Sequence, residues 1–186
     1  MKEIVLIIGG CRSGKSRYAL ELATQAAGRN RIFIATCMPG DKEMEERVRR
    51  HKKERNQIWA TVEVPLGLAE AVDEHGRQGN VIVVDCLTLW LSNLLPEINN
   101  PKEIEVHIQR LTQSLEASQC PVFLVSNEVG TGIVPGNRLS RMFRDVAGFA
   151  NQSVAACSDM VIWMVAGIPV TIKKVKNASP ENPALD

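Results

Sequence analysis

The chain has 186 residues and a net charge of +1, with 45% apolar and 23% charged residues. That is enough for one domain with a proper core, and ordinary for a soluble globular protein. The near-neutral balance excludes a molecule that acts as an electrostatic trap for nucleic acid or an anionic membrane, and no apolar stretch reaches the length of a membrane span.

The first element is the apolar run Ile4-Val5-Leu6-Ile7-Ile8, which predicts a strand over 4–8. It leads directly into Gly9-Gly10-Cys11-Arg12-Ser13-Gly14-Lys15-Ser16, and a helical pattern over 15–27 follows. This is G-x-x-x-x-G-K-S between a strand and a helix, the arrangement that wraps backbone N–H groups around a polyphosphate. Gly9 and Gly14 permit backbone angles and close approach that a Cβ would forbid. Lys15 is the expected partner of the β- and γ-phosphates, and the Ser16 hydroxyl is the expected Mg²⁺ ligand. A plain glycine turn with a solvated lysine is the alternative, and both flanks argue against it. A five-residue apolar run that opens a nucleotide loop is not expected to be a signal peptide.

Further strands are expected over 31–35, 61–64, 81–85, 122–126, 160–165 and 170–172. Helices are expected over 41–55, 66–75, 102–118 and 138–156. Alternation of apolar runs and helical patterns predicts an α/β fold with a mostly parallel sheet flanked by helices. Gly167-Ile168-Pro169 reads as a turn, which makes the last two strands an antiparallel hairpin at the C-terminus. One catalytic domain is expected over 1–176, with a polar tail over 177–186. Five scattered cysteines (Cys11, Cys37, Cys86, Cys120, Cys157) include no C-x-x-C pair, which reads as reduced thiols in a cytoplasmic protein.

Three segments carry candidate chemistry beyond the phosphate loop. Val81-Ile82-Val83-Val84-Asp85 is an apolar strand ending in a carboxylate. In phosphate-loop proteins a strand beside the first one supplies such an acid to the Mg²⁺ shell, so Asp85 is the candidate. A strand-end aspartate capping the next helix is the alternative. The segment Arg47-Val48-Arg49-Arg50-His51-Lys52-Lys53-Glu54-Arg55 is dominated by basic residues. At helical spacing His51 shares a face with Met44 and Val48, with Arg47 and Arg55 four residues to either side. Cations around an imidazole hold it neutral, hence nucleophilic, and would stabilise charge at an attacked phosphorus. Spacing alone favours the other reading, a solvated basic face with a structural histidine. A nucleic-acid patch is disfavoured because no aromatics are interleaved. Finally, Asn127-Glu128-Val129-Gly130-Thr131-Gly132-Ile133-Val134-Pro135-Gly136-Asn137 follows a strand and reads as an active-site loop. In the next helix Leu139, Phe143, Val146 and Ala150 fall at core spacing.

Together these segments resemble the bifunctional adenosylcobinamide kinase / adenosylcobinamide-phosphate guanylyltransferase family of cobalamin biosynthesis. The resemblance covers nearly the whole chain. It rests on Gly9-Gly10-x-Arg12-Ser13-Gly14-Lys15-Ser16, Ile34-Ala35-Thr36 and Arg47-Val48-x-x-His51-x-x-x-Arg55 with Trp59 and Glu63. It continues through Asn127-Glu128-Val129-Gly130-x-Gly132-Ile133-Val134-Pro135 and Arg141-x-Phe143-Arg144-Asp145-x-x-Gly148-x-x-Asn151-Gln152. The phosphate loop is common to many kinases, and the later stretches are far more specific.

The resemblance implies a RecA-like phosphate-loop NTPase fold, a homotrimer, and two reactions. ATP or GTP phosphorylates the aminopropanol hydroxyl of adenosylcobinamide. His51 then attacks the α-phosphate of GTP, and the resulting GMP-histidine gives its GMP to adenosylcobinamide phosphate, yielding adenosylcobinamide-GDP. It also implies nucleotide contacts at Gly9 to Ser16, at Ile34, Ala35 and Thr36, at Lys52, Lys53, Glu54 and Arg55, and at Glu63 and Asp85. Two departures are visible. Asn56 stands where proline is common, and Cys11 stands where alanine is common. No N-K-x-D signature is present, so guanine selectivity is not legible. Asp73-x-His75 superficially matches a cobalamin-binding motif, but Gln78 sits where glycine is required. A small-molecule kinase without nucleotidyl transfer, and a nucleotide-dependent switch or assembly ATPase, are the competing readings.

Overall fold

The computed structural model describes residues 2–38, 40, 46, 58–98 and 100–175. Apart from Glu46, the helix expected over 41–55 lies outside the described residues, as does the tail over 177–186. Seven strands form one sheet: β1 (Ile4–Gly9), β2 (Asn30–Ala35), β3 (Trp59–Glu63), β4 (Asn80–Asp85), β5 (Val122–Asn127), β6 (Met160–Val165) and β7 (Ile168–Lys174). Their order is β3-β2-β4-β5-β1-β6-β7, and every pairing is parallel except β6 with β7. The described helices are α1 (Lys15–Gln25), α2 (Leu68–His75), α3 (Leu87–Glu97), α4 (Pro101–Ala117) and α5 (Arg138–Cys157).

All six residues of β1 are buried, because helices cover both faces of the central sheet. Side-chain alternation divides the core. Val5, Ile7, Val81, Val83, Phe123 and Val125 pack toward α1, whose Ala19 and Ala23 stand four residues apart on one stripe and let the helix approach closely. Leu6, Ile34, Ile82, Val84 and Leu124 face the other side, where Leu68, Leu87, Leu91, Ile108 and Val154 from α2 to α5 meet them.

Three expectations are corrected. Helix α3 was not legible as a helix. Leu87, Trp90, Leu91, Leu94 and Leu95 bury it almost all round, so no polar face marks a period, and Pro96 lies inside it. The strand beside β1 is β5, not β4; β5 stands between the phosphate-loop strand and Asp85. Alternation of strand and helix reveals parallel pairing and is silent on lateral order. The final hairpin does form, but its turn is Ala166-Gly167, with φ of 50° and 84°, and Ile168 and Pro169 already belong to β7. Two successive positive φ values match the twist of the flanking strands in a two-residue turn.

Candidate nucleotide site

The phosphate loop sits at the C-terminal edge of β1. Gly9 is required by close approach: a Cβ there would fall 2.5 Å from the Met164 carbonyl oxygen of β6. Gly14 is required by conformation, with φ of 90° at the N-cap of α1. Arg12 also takes a left-handed angle, φ 55°. Alternating backbone hands of this kind turn successive N–H groups toward one concavity, an anion-binding shape. Gly14 provides no side-chain cap for α1, whereas Asn100 and Asn137 cap α4 and α5 through bonds to Lys102 N and Ser140 N. Gly67 and Cys86 give no side-chain cap to α2 and α3 either; what sets α1 apart is the glycine loop in front of its N-terminus, a shape suited to an anion. Lys15 is buried; its Nζ donates to Gly10 O at 2.6 Å and contacts Ser13 Oγ at 3.4 Å. The ammonium is thus held inside the loop where phosphate oxygens would be met.

Strand alternation brings two carboxylates to the same side as α1. Asp85 shares parity with Val81 and Val83, and Glu63 shares parity with buried Trp59. Ala35 pairs in register with both, with Glu63 on one side and Asp85 on the other. Asp85 is level with Val125 of β5, and Val125 with Ile7 of β1, so it stands two strand spacings, about 10 Å, from the phosphate-loop strand. Ser16, half-buried in the first turn of α1, and Asp85 are hard oxygen donors. Among the described residues no group of three or more His, Cys, Asp or Glu side chains could hold a metal. A hydroxyl and a carboxylate oxygen are donors of the kind a Mg²⁺ ion shared with phosphates takes.

Thr36, which the resemblance places among the nucleotide contacts, is tied into the fold by its side chain. Its side chain is wholly buried, and its hydroxyl bridges the backbone of Cys86, donating to Cys86 O at 2.7 Å and accepting from Cys86 N at 2.8 Å. Ile34 points into the core on the side opposite α1. From Cys86 the polar chain continues: Sγ lies 3.1 Å from Thr88 Oγ1, which accepts from Asn127 Nδ2 at 2.8 Å. Asn151 then bridges Ser126 Oγ (2.6 Å) and Asn127 O (3.2 Å). Asn93 Nδ2 donates to Thr36 O and Pro65 O. This network fixes the ends of β2, β4 and β5 relative to one another, and Glu128 N ties β5 to Gly9 O at 3.0 Å. Burial, with the charge of Asp85 adding to it, pushes the Cys86 thiol up to about 11, so it stays protonated.

Sequence reasoning missed Thr88 and Asn93 because they ride on the unrecognised α3. The signal available was that they are polar residues within an otherwise apolar run. His51, Lys52, Lys53, Glu54 and Arg55 lie outside the described residues. Gly10, Cys11 and Arg12 line the exposed outside of the loop, and Ser13 is buried within it.

Comparison with known proteins places this geometry. By shape the chain is similar to an ATPase: the solved ATPase domain of G40P superposes with a TM-score of 0.55 at 10% identity, covering 94% of this chain and 78% of that one. That likeness establishes the RecA-like phosphate-loop NTPase fold alone. The sequence is more specific. The bifunctional adenosylcobalamin biosynthesis protein CobP of Pseudomonas aeruginosa is 41% identical over 168 residues, spanning 90% of this chain and 96% of the relative. CobU of Escherichia coli, with the same bifunctional description, is 37% identical over 182 residues, spanning 91% and 99%. The family model for cobinamide kinase / cobinamide phosphate guanyltransferase matches residues 5–172, phosphate loop, basic segment and glycine-rich loop included. The chain belongs to the cobinamide kinase / cobinamide phosphate guanyltransferase family.

Proposed function

We propose that one triphosphate site, built on residues 9–16, serves two consecutive transfers. In the first, the hydroxyl of adenosylcobinamide attacks the γ-phosphorus of ATP or GTP; the new O–P bond forms as the bond to the β-phosphate oxygen breaks, and the nucleoside diphosphate leaves. In the second, a neutral His51 imidazole attacks the α-phosphorus of GTP, pyrophosphate leaves, and a phosphoramidate to GMP remains. A phosphate oxygen of adenosylcobinamide phosphate then displaces the imidazole, giving adenosylcobinamide-GDP. The phosphoramidate retains the transfer potential of the anhydride, so splitting the reaction loses little driving force.

The observation that carries this reading is the uncapped N-terminus of α1 with Lys15 folded into the loop before it. Lys15 and the helix dipole oppose the charge that builds on the leaving group in both steps. Ser16 and Asp85 would hold Mg²⁺, which when bound neutralises phosphate charge. Glu63 and Ala35 border the nucleotide, while Ile34 and Thr36 contribute by fixing where β2 ends. Lys52, Lys53 and Arg55 would grip the phosphates near His51, with Glu54 as a further nucleotide contact.

We also take the working form to be a homotrimer, with the exposed apolar side of the β6–β7 hairpin (Trp163, Ile168, Ile172) as a fitting contact between copies.

The test is a pair of transfer assays. His51→Ala should retain cobinamide phosphorylation and lose guanylyl transfer, while Lys15→Ala should weaken both by more than tenfold. A folded His51→Ala variant that loses both activities equally would refute the division of labour.

A further inference from the structure

We propose that the loop over 128–137 and the first turn of α5 form the resting surface for the macrocycle of the corrinoid acceptor, with Ile133, Val134 and Leu139 as its contacts. The inference rests on the reading of the chain as a cobinamide kinase.

The loop begins at the phosphate site. Asn127 pairs in register with Gly9, and Glu128 N donates to Gly9 O. Its backbone is pinned from several sides. Glu128 Oε1 accepts from Gly130 N at 2.6 Å, and Arg144 Nη2 donates to Gly130 O at 2.5 Å. Arg141 Nη1 donates to Pro135 O and Gly136 O. Yet the side chains between these pins face water: Ile133 is 96% exposed, Val134 64% and Leu139 57%. Leu139 stands at a position whose spacing predicts core. Large apolar groups held out on a braced backbone mark a binding surface.

Charge and position select the occupant. No charged residue lies between Val129 and Asn137, and of the cations in the first turn of α5, Arg141 is taken up by the loop carbonyls of Pro135 and Gly136. A corrin ring presents broad apolar faces and an amide-bearing rim. Its reactive hydroxyl lies at the end of a short arm and must reach the γ-phosphate, so the ring must rest on surface adjoining the phosphate loop. Arg144 Nη1 is buried without a hydrogen-bond partner among the described residues, leaving the foot of the loop one acceptor short. A rim amide carbonyl is a group of the right kind to complete it.

The experiment compares the wild type with an Ile133→Ser/Val134→Ser double variant and a conservative Ile133→Leu/Val134→Ile variant. Cobinamide KM, nucleotide KM and kcat are measured in the kinase reaction, cobinamide binding is followed by its visible absorbance, and subunit assembly by sedimentation. Replacing one of these apolar side chains by serine should weaken cobinamide binding about tenfold. The expected result is a cobinamide KM raised 10- to 100-fold in the serine variant, nucleotide KM and assembly unchanged, and recovery to within threefold in the conservative variant. An unchanged cobinamide KM would overturn the proposal, whether assembly held or fell; if assembly fell, the loop is a contact between copies. A loss confined to kcat would also overturn it. Wild-type protein that phosphorylates no cobinamide would instead defeat the functional reading itself.

Discussion

Thr36→Val isolates what the polar network at the sheet edge contributes. Valine matches threonine in shape, so the packing around this wholly buried side chain is kept and only the hydroxyl is lost. Two hydrogen bonds disappear, to Cys86 O and from Cys86 N. The carbonyl retains Trp90 N at 3.1 Å as a partner, so its loss is the smaller one. The Cys86 N–H is left buried without Thr36, a cost of about 1–3 kcal/mol, with about 1 kcal/mol more for the bond to the carbonyl. The sum, about 2–4 kcal/mol, corresponds to a fall of about 1–2 M in the urea midpoint at about 2 kcal/mol per molar. Equilibrium unfolding followed by tryptophan fluorescence reads this directly, since Trp59 and Trp90 are buried. Thr36→Ser, which keeps the hydroxyl, should lose about 1 kcal/mol at most. Nucleotide affinity of the folded valine variant should stay within about threefold. A valine variant as stable as wild type but tenfold weaker for nucleotide would refute the reasoning and assign the hydroxyl to the ligand.

Gly9→Ala should cost about 1–3 kcal/mol and weaken nucleotide binding at least tenfold, because the new Cβ meets backbone of β6 that cannot yield, whereas Gly10→Ala, with open space around it, should leave stability unchanged; thermal melts with and without nucleotide check both. Stability should also fall as pH rises from about 9 to about 11. Over that interval the unfolded chain releases the Cys86 proton while the folded chain, its thiol raised to about 11, retains it. Cys120 and Cys157, raised by burial as well, act in the same direction, so Cys86→Ala should flatten the urea-midpoint profile in part.

Much of this architecture is legible in the residues because burial on both faces writes strands as apolar runs. Ile4 to Ile8, Val81 to Asp85 and Met160 to Val165 stand out for that reason, and each ends at the edge where the site lies. The phosphate loop is legible because its constraints are local: Gly9 cannot bear a Cβ beside β6, and Gly14 holds an angle that side chains resist. What is not legible depends on lateral placement. Nothing in Val122 to Asn127 says that this strand inserts between β1 and β4, and so nothing says that Asn127 becomes the register partner of Gly9. The same limit applies to Thr36: nothing in the sequence says that its hydroxyl bonds both the carbonyl and the N–H of Cys86, 50 residues away. Leu139 shows the reverse: its helical spacing indicates core, but at the first turn of α5 it lies beyond the sheet that buries Val146 and Ala150.

The most direct measurement is covalent trapping. The protein is incubated with Mg²⁺ and GTP labelled at the α-phosphate, denatured in base, and digested for peptide mapping. The account predicts one acid-labile, base-stable GMP adduct on the peptide that contains His51, absent from His51→Ala and sharply reduced in Lys15→Ala. A protein that phosphorylates cobinamide yet carries no such adduct, or carries it on another residue, would contradict it.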